Sequence, residues 1–197
     1  MSEDDLKSVT ALVGLDALER AAAEAPPGTE VCSGADIPFY PRLSVRSNAR
    51  AIRMALPEEA QAQFWELLKI AGLRAPGWNV ARLKGRPGAL RLWGLAVGLM
   101  KRAPALLALE PMSGMDAGER ACFASLLRWC AERGIPFAYT AARLKDVMEL
   151  GLLQKLRLAA PAGWVDTDTA AMEALMAEAE DKSWNRLQAG WEGKDVD

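Results

Sequence analysis

One carboxylate closes the most suggestive stretch of the chain. In LLALEPMSGMD an aliphatic run ends at Glu110, and Pro111, Ser113, Gly114 and Asp116 follow. An acidic residue where a buried strand emerges is placed to hold a divalent cation or to polarise a water, as in metal-assisted phosphoryl transfer. Leu109 stands immediately before Glu110, so the strand end carries a single acid. The 197 residues include no histidine. That removes Ser-His and Cys-His nucleophiles and the commonest zinc ligand. Any enzymatic chemistry must rest on carboxylates, Lys, Arg, Tyr or backbone groups.

Other reactive residue types are sparse. Cys32, Cys122 and Cys130 have neither metal-ligand spacing nor an even count, which suits a reduced, cytosolic compartment. Cys122 and Cys130 read as small apolar packing residues of a helix. Arg82, Lys84, Arg86 and Arg91 form a local basic cluster that suits a solvated loop better than an anion site. The net charge of −2 gives no reason to expect a nucleic acid or an anionic membrane as the main partner. No apolar run approaches the roughly 20 residues of a membrane span, and the acidic start MSEDDLKSV is unlike a secretory signal.

Elements to position these residues follow from pattern and punctuation. Short β-branched or aliphatic runs predict strands over 9–13, 105–109, 135–140 and 156–159. Helix formers, with Pro and Gly at the boundaries, predict helices over 15–25, 57–72, 90–100, 116–133 and 141–152. Gly94 and Gly98, four apart, predict close backbone packing of the third helical stretch. Residues 31–45 and 76–88, rich in turn formers, read as loops. After Trp164 the composition shifts to Ala, Glu, Asp and Met, and 166–189 reads as a C-terminal helix. Strands alternating with helices imply a parallel α/β sheet.

In this order, the segments resemble the ATPase domain of ATP-binding-cassette (ABC) transporters over most of residues 9–160. LEPMSGMD resembles the family's Walker B strand and D-loop, and VTALVG the strand feeding its phosphate loop. SGADIPFYPRLSVRSN resembles the Q-loop region, LRLWGLAVGLMKRAP the helix behind the signature loop, and GIPFAYTAARLKDVMEL the switch strand. The Ser33-Gly34-Ala35 phrase and PMSGMD are similar to cassettes of lipid-trafficking transporters. The resemblance implies an α/β, three-layer P-loop-NTPase-like core with a parallel sheet, a reduced N-terminal β-subdomain and a C-terminal helix. It implies a cassette-like domain over 1–164, with a helical subdomain at about 46–103, and a tail over 165–197.

The same resemblance exposes what is missing. A phosphate loop reads GxxxxGK[ST], with backbone N–H groups and Lys on the phosphates and a hydroxyl on Mg²⁺. The matching residues run from Gly14 to Ala21: Gly14 survives, Glu19 places a carboxylate near phosphate, Arg20 keeps the charge but not the ammonium, and Ala21 has no hydroxyl. Cys32 stands at the Q-loop glutamine, LKGRPGALR lacks the signature Ser, and Ala141 and Ala142 follow Thr140 where a switch histidine belongs. Leu109 replaces the Mg²⁺-binding Asp, leaving a vestigial Glu110. No catalytic, metal or cofactor residue is therefore expected; ATP and Mg²⁺ enter only under an alternative, a composite site shared with an intact ATPase.

What the resemblance leaves is binding. The family docks its membrane subunit near FYPRLSV, making Phe39, Tyr40 and Arg42 candidate partner contacts. Its D-loop meets the opposite protomer, making Asp116 a candidate for a homodimer or for a pair with an intact ATPase. Met172, Met176, Trp184 and Trp191 in the tail are further candidates. The expectation is a non-hydrolysing binding or scaffolding subunit of a transport or envelope-associated complex. It would be cytoplasmic, at the inner face of the membrane through a partner and without insertion of its own. A self-assembling structural protein is the remaining alternative.

Overall fold

A computed structural model describes residues 8–33, 37–79, 81–83, 85–101, 103–161 and 163–174. Twelve elements follow one another: β1 (Val9–Val13), α1 (Ala17–Glu24), β2 (Glu30–Cys32), α2 (Val45–Met54), α3 (Glu58–Ile70), α4 (Pro87–Met100), β3 (Leu106–Ala108), α5 (Ala117–Glu132), β4 (Phe137–Ala141), α6 (Leu144–Met148), β5 (Lys155–Ala160) and β6 (Gly163–Asp168). The strands form one sheet in the order β2-β3-β4-β1-β5-β6. All neighbours are parallel except β5 and β6, which form an antiparallel hairpin.

Three layers result. Val9, Ala11, Val13, Leu106, Ala108, Phe137, Tyr139 and Leu156 turn one sheet face towards α3, α4 and α5, where the main core lies. Leu12, Leu107 and Ala138 turn the other face towards Ala21 and Ala25 of α1 and its C-terminal end. Burial on both faces explains why β1, β3 and β4 read as continuous apolar runs rather than alternating ones. Helix α4 meets α3, α5, β2 and β3; a helix covered on all sides is apolar all round. Gly98 is where it presses on the sheet: a Cβ there would stand 2.6 Å from Cys32 Sγ and 3.2 Å from Leu106 Cδ1.

Four expectations need correction. Glu30–Cys32, placed in a loop by the sequence, is an edge strand paired with Leu106–Ala108. Three residues carry too little periodicity to declare a strand, and the acidic Glu30 side chain pairs with Lys101 at 2.6 Å. Val45, the last residue of the expected loop, opens helix α2 with residues 46–54, over which the sequence pattern predicts no element; Ser44 starts it, its Oγ accepting from Ser47 N at 3.1 Å. Helix α6 begins only at Leu144, because Ala141 completes β4 beside Val13. At the C-terminal side, β6 runs through the expected 164/165 boundary to Asp168, and a helical segment starts at Thr169 rather than at 166. Thr169 fixes that start: its Oγ1 donates to Leu152 O at 3.0 Å and accepts from Gln154 N at 3.1 Å.

No helix among the described residues is long and apolar enough to cross a membrane. Packing at Gly98 gives a direct test of the layer arrangement. Gly98→Ala must push α4 off β2 and β3, so denaturant unfolding should show a loss of about 1–3 kcal/mol, although alanine is the better helix former.

Candidate functional site

The carboxyl ends of β1, β3 and β4 meet at one edge of the sheet. There the connection from β1 leads towards β2 on one side, and that from β4 leads towards β5 on the other. Such a reversal is where open α/β sheets usually bind ligands. It brings together Gly14, Glu110 and Thr140. Gly14 N donates to Ala141 O at 3.0 Å, and Glu110 N donates to Thr140 Oγ1 at 2.8 Å.

At the β1 end, the turn to α1 is only Gly14-Leu15-Asp16 before the helix begins at Ala17. A phosphate cradle needs a longer loop whose successive N–H groups point inward. Here the short turn closes on itself, with Ala17 N donating to Gly14 O at 3.2 Å, and Leu15 is 93% exposed. Gly14 adopts φ +145°, and a Cβ at that position would stand 2.7 Å from Ala159 Cβ. Glycine is therefore required by the approach of β5, not by a ligand.

Arg20 turns to the carboxyl end of β5 and the hairpin that follows it. Its Nη1 donates to Ala160 O at 3.0 Å and to Gly163 O at 2.9 Å, and its Nη2 pairs with Asp16 at 3.1 Å. The guanidinium also lies 5.5 Å from the centre of the Trp164 ring, with Arg157 at 5.6 Å from the same ring. Trp164 Nε1 donates to Glu24 Oε2 at 2.7 Å. Helix α1 is thus tied to the β5–β6 hairpin near both of its ends. The cation that would neutralise a phosphate instead satisfies the carbonyls of the hairpin.

At the β3 and β4 ends lies a cavity of about 260 Å³ whose lining includes Glu110, Ser113, Arg120, Thr140, Arg143 and Asp146. Glu110 is the one non-glycine described residue with positive φ, +43°. That geometry is costly for a residue with a Cβ. It is held by three backbone contacts: the bond to Thr140, Ser113 N on Glu110 O at 3.1 Å, and Arg91 Nη1 on the same oxygen at 3.2 Å.

The cations of this cavity already have partners. Arg143 grips Asp146 with Nε and Nη2, both at 3.0 Å, and Arg120 Nη1 reaches Asp146 at 3.2 Å and Glu149 at 3.1 Å. The Arg143 hydrogen bond, then Arg120, holds the Asp146 carboxyl below its ordinary range despite partial burial. Two guanidiniums facing Glu110, Asp146 and Glu149 leave no positive surplus for a triphosphate. Among the described residues no group of three His, Cys, Asp or Glu side chains is arranged to hold a metal ion. The residues at this edge therefore do not fit Mg-ATP in the usual mode.

The remaining candidates are dispersed. Asp116 caps α5 in a reciprocal box with Glu119: Glu119 N donates to Asp116 Oδ1 at 2.8 Å, and Asp116 N to Glu119 Oε2 at 3.1 Å. Glu119 in turn holds Arg86 at 3.0 Å. With Arg91 on Glu110, the basic cluster is divided among separate partners, and Lys84 lies outside the described residues. Phe39 turns inward, edge-on to Trp93 at 5.3 Å, whereas Tyr40 is 65% exposed and Arg42 is exposed beside it. Met172 packs against the main core; Met176, Trp184 and Trp191 lie outside the described residues. Burial pushes the thiol of Cys32 up to about 11 and that of Cys130 to about 12, so neither is a ready thiolate. The hairpin clamp escapes sequence reasoning because Arg20 and Gly163 are far apart in the chain and a guanidinium–carbonyl bond leaves no local pattern.

No family model matches the sequence, and no curated protein does. A chain of a metal-chelate-type ABC transporter, captured in an inward-facing conformation, has a similar structure. Its TM-score is 0.59, with 15% identity over 84% of this chain and 74% of that one. At that identity the likeness is one of fold: mixed α/β, ABC-like, with a mostly parallel sheet.

Two outcomes follow from the side-chain geometry. Arg20→Ala removes charged hydrogen bonds to the hairpin and should cost about 1.5–3 kcal/mol in denaturant unfolding. The Asp146 carboxyl has a lowered pKa in the folded chain, so its stabilisation is present above the unfolded value of about 3.9 and is lost as pH falls through the lower folded value. Asp146→Asn should flatten the dependence of stability on pH below about pH 4, as read from unfolding midpoints in that range.

Proposed function

We propose that this chain is a non-hydrolysing subunit on an ABC-ATPase-like frame, which binds or scaffolds other subunits of a transport or envelope-associated complex. The observation that carries the proposal is the capture of Arg20 by the carbonyls of Ala160 and Gly163, beside a turn too short to wrap a phosphate. The second acid is missing at Leu109, and Thr140 holds the backbone of Glu110 rather than presenting a switch group. Phosphoryl transfer depends on electrostatic preorganisation, and each of these groups is committed to the fold.

The transport setting is supported by the ABC-like fold and by the segment order noted above. Docking is assigned to the exposed strip at Tyr40, Arg42 and Leu43, since an exposed aromatic beside an arginine is a common anchor pair at interfaces. The partner is a membrane subunit, which would hold this chain at the inner face of the membrane. The Ser33-Gly34-Ala35 phrase favours a transporter of lipids.

The purified chain should not hydrolyse Mg-ATP above the buffer rate, against the 1–100 s⁻¹ typical of competent phosphoryl-transfer enzymes such as kinases. Isolated from native membranes in mild detergent, it should bring down a subunit with membrane helices. Tyr40→Ala with Leu43→Asp should reduce that recovery about tenfold, since losing a central anchor costs roughly 1–2 kcal/mol. Turnover by the chain alone would contradict the proposal. Turnover only with an intact ATPase, abolished by Glu110→Gln, would establish a composite site instead.

A further inference from the structure

Most paired arginines of this chain sit against carboxylates: Arg20 on Asp16, Arg86 on Glu119, Arg120 and Arg143 on Asp146, Arg133 on Glu66, Arg157 on Asp166. A different arrangement lines the groove between α2, α3 and the segment after α3. Arg46, Arg50 and Arg53 project from one face of α2, at helical spacings of four and three. Arg74 joins them, and Trp65 and Trp78 supply aromatic walls to a hollow of about 440 Å³. Among the described residues, no carboxylate lines it. Among the described residues, no acidic side chain pairs with any of the four guanidiniums.

The aromatic walls organise the cations. Trp65 and Trp78 meet edge to face at 5.7 Å. Arg53 and Arg74 lie over Trp65, at 5.9 and 5.6 Å, and Arg46 lies over Trp78 at 5.8 Å. Arg46 is further fixed by a 3.0 Å bond from Nη1 to Asn79 Oδ1. A guanidinium held over a ring keeps N–H donors at its edge for an anion. The clustering is not a by-product of a basic chain, since the net charge is −2. Four like charges in one hollow repel one another, and a bound anion relieves that repulsion.

From this arrangement we propose that the groove is a binding site for a phosphate-bearing anion. Concavity argues against a flat anionic surface: the arginines converge on a hollow within the size range of small-ligand pockets. Charge argues against a lone carboxylate, because a phosphate brings up to two charges and three acceptor oxygens for bidentate guanidinium forks. The phosphate belongs either to a free solute or to a lipid headgroup inserted into the hollow. The site is separate from the β1, β3 and β4 strand ends, so it stands whether or not the proposed function does.

The test is calorimetric titration of the full chain with inorganic pyrophosphate, beside co-sedimentation with phosphatidylcholine vesicles with and without phosphatidic acid. Saturable pyrophosphate binding identifies a free phosphate compound; binding confined to phosphatidic acid vesicles identifies a headgroup. In either case Arg50→Gln with Arg53→Gln should weaken binding at least about tenfold, while Lys145→Gln outside the groove leaves it unchanged. Arg50 and Arg53 are exposed, so the double variant should keep the wild-type unfolding midpoint. For the wild type, affinity should fall as salt rises. Failure of both phosphate probes, indifference of the response to the double variant, or equal binding of a poly-glutamate peptide would each overturn the proposal; the last would point to an acidic protein segment.

Discussion

The arrangement of this fold turns on one guanidinium. Arg20 leaves α1 and closes on the carbonyls of Ala160 and Gly163, with Asp16 and the Trp164 ring completing its surroundings. Two ordinary needs are met at once. The hairpin, an antiparallel addition at the rim of a parallel sheet, has polar backbone groups that require partners. Helix α1, only eight residues long, would be marginal without tertiary support. Each stabilises the other, and the same contact commits the positive charge of α1 to the hairpin.

The strand ends carry the same logic. Glu110 keeps its position at the end of β3, yet its unusual backbone is fixed by Thr140 and Arg91. The neighbouring arginines are neutralised by Asp146 and Glu149. Strained backbone at a strand end often marks a working site. Here the surrounding groups are paired with one another, which makes the edge a set of internal connections between β3, β4, α5 and α6.

Much of this was readable from the chain. β1, β3 and β4 declared themselves as aliphatic runs, and α3, α4 and α5 as runs of helix formers with Pro and Gly at their boundaries. Each depends on local chemistry or on complete burial. The elements that escaped depend on distant partners. β2 is a strand only because β3 offers its edge to Glu30–Cys32, and β6 only because β5 folds back on it, although its sequence GWVDTD has the polar look of a linker. That Arg20 serves the hairpin, and that Phe39 faces Trp93 while Tyr40 faces solvent, required coordinates.

The proposal of a non-hydrolysing binding subunit rests on an ABC-like fold and on the commitment of Arg20 to the hairpin. The most direct measurement is equilibrium binding of Mg-ATP to the isolated wild-type chain, by calorimetry at millimolar nucleotide. The account predicts no saturable heat attributable to the turn after β1. Saturable binding that disappears in Arg20→Ala, with the variant still folded, would contradict it.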